Sequence, residues 1–326
     1  VKAVVYTKYG PPDVLQIKKL KKPIPKENEV LIKIYATTVT ATDCTFRKGE
    51  PFFSRLFTGI TKPKNQILGS EFAGEIESTG KDVKLFQAGD QVLGTTPGYG
   101  SYAEYLCLPG KGATLALKGK KLNFKQSIAC CDGFLTALPF LRDKGKIKSE
   151  DKVLINGASG SVGSAAIQLA KYFGAEVTGV CSAVNLELVK SLGADYLIDY
   201  KKENFINNGK KYDIIFDTVG KISFSKCKRS LSEKGIFLEA GITMTVLPQV
   251  LITSLIGSKK AKIMATGLRP PDERTNDLNF IIELAETQKI KPVIDRVYSL
   301  KQITEAHRYV DTGRKKGNVI IIFEHK

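Results

Sequence analysis

No CxxC pair and no regular spacing links the six cysteines, Cys44, Cys107, Cys130, Cys131, Cys181 and Cys227. That absence argues against a zinc ribbon and is what reduced thiols in a cytoplasmic protein would show. No apolar run approaches the roughly 20 residues needed to span a bilayer, and the first residues lack the charged-then-apolar pattern of a signal peptide, so no membrane partner is expected. Internal repeats and low-complexity segments are also missing. What the chain does have is length and positive charge. Its 326 residues exceed the about 250 to 300 that one core ordinarily serves, which predicts two domains. A content of 42% hydrophobic and 25% charged residues fits a folded globular protein. The net charge of +17 is compatible with a nucleic-acid partner or with a basic surface that draws in an anionic ligand. The lysines are spread along the chain (Lys18, Lys19, Lys21, Lys22; Lys118, Lys120, Lys121; Lys201, Lys202; Lys259, Lys260) and do not interleave with aromatics on one element. Specific nucleic-acid binding is therefore not expected.

The first 110 residues read as short strands broken by glycine and proline: 2–6, 14–17, 30–36, 67–77, 91–94 and 102–108. This predicts a compact, partly barrel-like β domain. From about residue 125 apolar strands alternate with amphipathic helices, the pattern of a parallel sheet covered on both faces. Six strands can be counted, at 153–156, 177–181, 196–199, 213–217, 235–240 and 262–266, the number a doubly wound dinucleotide fold needs. A helix near 276–287, a strand at 297–300, a helix to about 311 and a strand at 318–323 follow. That tail is expected to return to the first domain.

Within "NGASGSVGS" (156–164), Gly157, Gly160 and Gly163 lie between an apolar strand and a helix-like run with Val162, Ala165, Ala166, Leu169 and Ala170 on one face. At such a turn the first glycine permits the sharp bend, the second lets backbone approach a pyrophosphate, and the third lets helix pack on strand. Free N–H groups and the helix dipole favour the negative charge. The dinucleotide is read from the end of the second strand, where Cys181-Ser182-Ala183-Val184-Asn185 carries no acid to bind a ribose hydroxyl and repel a phosphate. NADPH is favoured over NADH.

These blocks, with "ILGSEFAGEIESTGKDVKLFQAGDQV" (67–92), "GFLTAL" (133–138), "LGADYLIDY" (192–200), "IIFDTVG" (214–220) and "AHRYVDTGRKKGNVII" (306–321), resemble the medium-chain dehydrogenase/reductase superfamily in order and spacing over nearly the whole chain. The resemblance implies an α/β protein with a GroES-like β-rich catalytic domain (1–130 and 269–326), a Rossmann cofactor domain with a doubly wound parallel sheet (131–268), a cofactor in the cleft and a homodimer. Zinc members of the superfamily carry ligands at positions that here hold Thr40, Ser70 and Asp132, and hydroxyls are poor zinc ligands beside thiolate and imidazole. The two histidines, His307 and His325, lie elsewhere, and the four-cysteine lobe is missing. The pattern is similar to the zinc-independent quinone oxidoreductase branch, so no zinc is expected and Glu71 is read as a structural carboxylate.

Carried over position by position, the resemblance implies that Gly157, Ser159, Gly160, Ser161, Val162 and Gly163 hold the pyrophosphate. Ser182 and Tyr200 would line the 2′-phosphate pocket, and Thr136, Val219, Ala240 and Gly241 the nicotinamide half. Asn318 stands where relatives often place a cation, with Arg314, Lys315 and Lys316 available to compensate. On the substrate side the candidates are Thr40, Asp43 and Phe46, the last lacking the hydroxyl a proton donor needs. Asp43 either does chemistry or orders its loop, and Cys44 is read as a buried small residue rather than a nucleophile. Phe52, Phe53, Leu56, Phe57 and Ile60, in the insertion 50–66, either cover a flat apolar substrate or pack against the chain's own core or a dimer neighbour. "FSKCKRSL" (224–231) is read as a solvated basic helix face. The expected activity is hydride transfer from NADPH to quinones or α,β-unsaturated carbonyls, small hydrophobic electrophiles. Alternatives are an alcohol dehydrogenase or carbonyl reductase, and a cofactor-bound RNA- or partner-binding protein with little catalysis.

Overall fold

The structure is a computed structural model in which residues 1–96, 98–241 and 246–325 are described. By internal packing the chain divides into two units: Val1–Asp132 with Pro270–Glu286 and Ile294–Lys326, and Gly133–Arg269 with Thr287–Val293.

The first unit opens with β1 (Lys2–Val5) and β2 (Gln16–Lys19), an antiparallel pair. The strand expected at 14–17 starts late because Pro11 and Pro12 lead into a 3₁₀ turn over Pro12–Val14. Next come β3 (Glu29–Thr38), α1 (Ala41–Lys48), α2 (Arg55–Thr58), β4 (Glu71–Thr79), β5 (Gln91–Thr95), β6 (Tyr105–Pro109), β7 (Thr114–Leu117) and α3 (Phe124–Ile128). The strand expected from 67 begins only at Glu71, because Gly69 takes φ +87° and a Cβ there would lie 2.3 Å from Ser101 Oγ. The ten-residue β3 is the spine of this unit, pairing antiparallel with β4 and β6. Its alternating Val30, Ile32 and Ile34, all fully buried, pack with Phe72, Ile76 and Val92.

The second unit starts within α4 (Asp132–Pro139) and continues through β8 (Lys152–Asn156), α5 (Ser161–Tyr172), β9 (Glu176–Cys181), α6 (Leu186–Ser191), β10 (Tyr196–Asp199), β11 (Tyr212–Asp217), α7 (Phe224–Cys227), β12 (Leu231–Glu239), α8 (Val246–Leu255) and β13 (Lys260–Ile263). The six strands are parallel in the order β10-β9-β8-β11-β12-β13, the doubly wound arrangement whose order reverses beside the first strand. Val153, Leu154, Ile155, Ile214, Ile215 and Phe216 are almost fully enclosed, as near-continuous apolar strands must be when helices cover both faces.

The tail supplies α9 (Pro271–Glu286), β14 (Ile294–Ser299), α10 (Ile303–Asp311) and β15 (Asn318–Ile322). β15 pairs with β3 and β14 with β15, so the tail joins the first unit's sheet, while Thr287–Val293 packs with the second unit.

Candidate functional site

The second unit gathers its candidate residues at the C-terminal ends of its strands. Gly157 leaves β8 with φ +81°, and a Cβ there would lie 2.4 Å from Val219 Cγ2. Gly163, in the first turn of α5, lies so close to the loop that a Cβ would lie 2.2 Å from the Gly157 carbonyl oxygen, so only glycine lets the helix begin there. Gly160 differs: its backbone is extended (φ −75°, ψ 179°) and an added Cβ would make only an ordinary 3.5 Å contact. Nothing in the protein demands glycine at 160, which is what a ligand approaching that backbone would leave behind. As the N-cap of the twelve-residue α5, Gly160 also brings no side-chain oxygen to the first-turn N–H groups. An anion fits such a terminus. Gly133, in α4, packs against the Ser161 carbonyl, and Thr136, one turn further along α4, is half-buried.

Asn185, not singled out from the sequence, joins two of the predicted residues. Its Nδ2 donates to Ser159 Oγ (2.9 Å) and Ser182 Oγ (3.4 Å), tying the glycine loop to the end of β9. Its Oδ1 is buried without a hydrogen-bond partner among the described residues, an acceptor suited to a ligand hydroxyl. The Tyr200 backbone N–H donates to Cys181 O (3.1 Å), so this exposed tyrosine stands beside the same strand end. Asp199 Oδ1 accepts from the Lys201 backbone (3.1 Å). Asp217, fully buried at the end of β11, was also missed, although "IIFDTVG" contains it. Its Oδ1 accepts from Asn156 Nδ2 and Val219 N (both 2.9 Å), and its Oδ2 from Ile222 N (3.2 Å), which fixes the loop carrying Val219. Ala240 N donates to Asp217 O (2.9 Å), bringing Ala240 and Gly241 to the same edge. These residues fit a dinucleotide on the backbone they present.

In the first unit, Thr40 and Asp43 form a capping box at the start of α1. Asp43 N donates to Thr40 Oγ1 (3.0 Å), while Thr40 N (2.9 Å) and Thr40 Oγ1 (2.7 Å) donate to Asp43 Oδ2. Gly49, at φ +64°, ends the helix. Asp43 is therefore an ordering residue here, and burial pushes its carboxyl up to about 6 against the Thr40 hydrogen bonds that lower it. Glu71 is buried as well. Its Oε2 accepts from Thr38 Oγ1 (2.6 Å), and desolvation, then the nearby Asp132, hold its carboxyl well above the usual range. Phe46 meets Tyr99 edge-on, with ring centroids 5.3 Å apart, so a phenol absent at 46 stands next to it at 99. Asn318 is buried, its amide donating to Ala129 O (3.2 Å).

The insertion is held by its polar groups. Tyr9 Oη shares a hydrogen bond with Thr58 Oγ1 (2.8 Å) and donates to Gly59 O, and the Arg55 guanidinium lies over the Tyr9 and Phe52 rings. Phe52, Phe53, Leu56, Phe57 and Ile60 are exposed, which overturns packing into the chain's own core and leaves a substrate or a neighbour to cover them. The thiol of Cys44 is buried and pushed up by desolvation, so it stays protonated; His307 Nδ1 lies 3.4 Å from it and is itself enclosed, held neutral at about 3 by burial and then by Arg47. A shallow hollow of about 490 Å³ bordered by Cys44, Lys48 and Asp311 gathers no reactive set, because Lys48 Nζ is paired to Asp311 (2.9 Å).

At the positions that carry zinc ligands in metal-dependent relatives, the side chains have other partners. Thr40 is committed to its capping box, and Asp132 is paired with Lys315 (3.8 Å). Among the described residues no group of three or more His, Cys, Asp or Glu side chains is placed to hold a metal.

Comparison with known proteins places these features in a family. An alcohol dehydrogenase GroES-like domain profile matches residues 26–118, and a profile described as zinc-binding dehydrogenase matches 192–321. The chain is 34% identical to a 2-methylene-furan-3-one reductase of Solanum lycopersicum, covering 98% of this chain and 79% of that one. It is 30% identical to an NADPH-dependent alkenal/one oxidoreductase, chloroplastic, of Arabidopsis thaliana, over 98% of this chain and 79% of the other. The crystal structure of Escherichia coli quinone oxidoreductase complexed with NADPH superposes with a TM-score of 0.86 at 25% identity, covering 99% of this chain and all of that one. By fold, glycine loop and these similarities, the chain belongs to the medium-chain dehydrogenase/reductase superfamily, in its quinone oxidoreductase branch.

Proposed function

We propose that the protein is a zinc-independent, NADPH-dependent oxidoreductase that reduces quinones and α,β-unsaturated carbonyls. The observation that carries this reading is the donor set at the three metal positions, where a capping threonine, a serine and a lysine-paired aspartate replace groups that would bind zinc. Without a Lewis acid to polarise an alcohol or carbonyl oxygen, the substrate must be a carbon framework that is already electron-poor. The relatives named for enone and quinone reduction support the same class.

When bound, the cofactor supplies a hydride. The chain's own work is to bind and position. The α5 N-terminus with Gly157, Ser159, Gly160, Ser161, Val162 and Gly163 receives the pyrophosphate, and Ser182, Asn185 and Tyr200 the adenosine end. The absence of a carboxylate from Ser182 to Asn185 supports the 2′-phosphate form. Asp217 holds the Val219 loop, and with Thr136, Ala240 and Gly241 this loop receives the nicotinamide half. Thr40 and Asp43 fix the start of α1, while Phe46 and the exposed apolar residues of the insertion, Phe57 among them, offer rings to a flat substrate.

The test is NADPH oxidation followed by absorbance in chelator-treated buffer, with a panel of quinones, enones and simple aldehydes. Turnover confined to quinones or enones, with NADH at least about tenfold poorer in kcat/KM, is expected. Turnover that needs added zinc, or that is best with aldehydes, would remove the proposal.

A further inference from the structure

The turn between β5 and β6 holds a tyrosine in a backbone conformation that glycine favours. Tyr99 has φ +62°, although glycines stand on either side of it at 98 and 100. For a bulky side chain the left-handed region is strained, and it persists only where the surroundings enforce it. Here they do. Thr96 N donates to Ser70 O (2.7 Å) and Asn65 Nδ2 to Gly98 O (2.7 Å), while Ser101 N donates to Gly69 O (3.1 Å) and Tyr102 N to Leu68 O (3.0 Å). The turn is thus tied to segment 65–70 on both sides of the tyrosine.

What the strained turn holds in place is a ring and a hydroxyl. The edge-on contact with Phe46 uses only the ring, and a phenylalanine would make it equally well. The hydroxyl has no hydrogen-bond partner among the described residues, although the side chain is half-buried. Burial, then the Asp43 carboxylate, push this phenol above its ordinary range, so it stays protonated. Other hydroxyls of the same region are committed or enclosed. Thr40 Oγ1 donates to Asp43 Oδ2 (2.7 Å), Tyr9 Oη is bonded to Thr58 and Gly59, and Ser101 Oγ shares a hydrogen bond with Thr37 Oγ1 (2.9 Å). Tyr6 and Tyr102 are buried in the unit's core.

We infer that Tyr99 is the general acid of the reaction, giving its Oη proton to the enolate that forms when an α,β-unsaturated carbonyl is reduced. The inference rests on the enone-reductase reading above. Hydride addition from the reduced nicotinamide forms a C–H bond at the β-carbon, breaks the C=C π bond and moves that electron pair onto the α-carbon and the carbonyl oxygen. The nicotinamide is oxidised by two electrons and the enone reduced by two. Proton transfer then breaks the Tyr99 O–H bond and forms the α C–H bond of the saturated ketone. Solvent, which reaches this half-buried side chain, returns a proton to the phenolate. An enolate carbon is a far stronger base than a phenolate, so the transfer runs downhill even from a phenol that burial has made less acidic.

The test compares Tyr99→Phe with the wild type on two acceptors. An enone needs the proton, whereas a nitroalkene does not, because hydride addition leaves a nitronate that is stable in water and can be released as such. Tyr99→Phe should lower kcat for the enone about a hundredfold with KM unchanged. With the nitroalkene, NADPH oxidation should stay within about twofold of wild type, and nitronate should accumulate in the ultraviolet. The variant keeps the ring against Phe46 and loses no protein hydrogen bond, so the melting temperature and the NADPH affinity by fluorescence titration should not move. Enone turnover as fast in Tyr99→Phe as in wild type, or an equal loss with both acceptors, would overturn the assignment while the reductase reading stands. A wild type that reduces neither acceptor would remove that reading, and the assignment with it.

Discussion

The two units present their candidate residues in different materials. In the Rossmann unit the candidate site is backbone: three glycines, a helix terminus, and an aspartate and an asparagine whose bonds hold loops in place. In the GroES-like unit it is side chains, a buried capping box below and exposed rings above. A backbone site tolerates little variation in sequence, because the space it needs vanishes with one carbon atom. A side-chain site can be rewritten residue by residue while the sheet beneath it stays the same, and the change to Thr40, Ser70 and Phe46 is such a rewriting.

The sharpest way to break this contrast lies in the glycine loop. Gly163→Val should abolish NADPH binding, a loss of at least about a hundredfold, and destabilise the unit, since its Cβ meets a carbonyl oxygen that cannot move away. Gly160→Ala should leave the melting temperature within a degree or two yet weaken NADPH about tenfold by fluorescence titration, because only a ligand needs that space. Equal damage to stability from both changes would show that the loop is merely a packing turn.

A smaller effect tests the side-chain unit. Asp43 has a folded pKa of about 6 against an ordinary 3.8, so the folded protein holds this proton more tightly than the unfolded chain does. Its contribution is therefore full below about pH 4 and lost as pH rises through about 6, a swing of roughly 3 kcal/mol. Asp43→Asn keeps an acceptor for Thr40 and should flatten the fall in stability measured by urea unfolding between about pH 4 and 7. An unchanged slope would mean that Asp43 is already ionised in the fold.

The smallest effect expected is at the insertion. Phe57→Ser should leave stability within about 0.5 kcal/mol, as an exposed ring does, but raise KM for an apolar quinone a few-fold with kcat kept. An unchanged KM would assign those rings to a neighbour rather than to substrate.

The same contrast explains what the sequence revealed. The succession of six strands and the glycine loop were legible because period and glycine spacing are local properties of the chain. Asn185 was not, since its bond to Ser159 joins residues 26 positions apart and an asparagine after a strand looks like any turn residue. The Thr40-x-x-Asp43 spacing was visible, yet its meaning as a helix start needed α1, which the short run after β3 did not announce. Strand β7, four residues between glycine-rich turns, was too short to show alternation. Helix α8 was not singled out in the sequence, because an apolar run does not say whether it is helix or strand, or which side faces the core.

Asn185 also bears on how cofactor preference can change over generations. One amide donates to hydroxyls on both the glycine loop and the residue after β9, so, on the proposed cofactor reading, a substitution at Ser182 also removes one of the two contacts that hold Asn185. Mutations at 182 and 185 are therefore expected to be epistatic. A lineage moving from one nicotinamide cofactor to the other would pass most readily through position 185 first, loosening the bridge before rewriting what it joins.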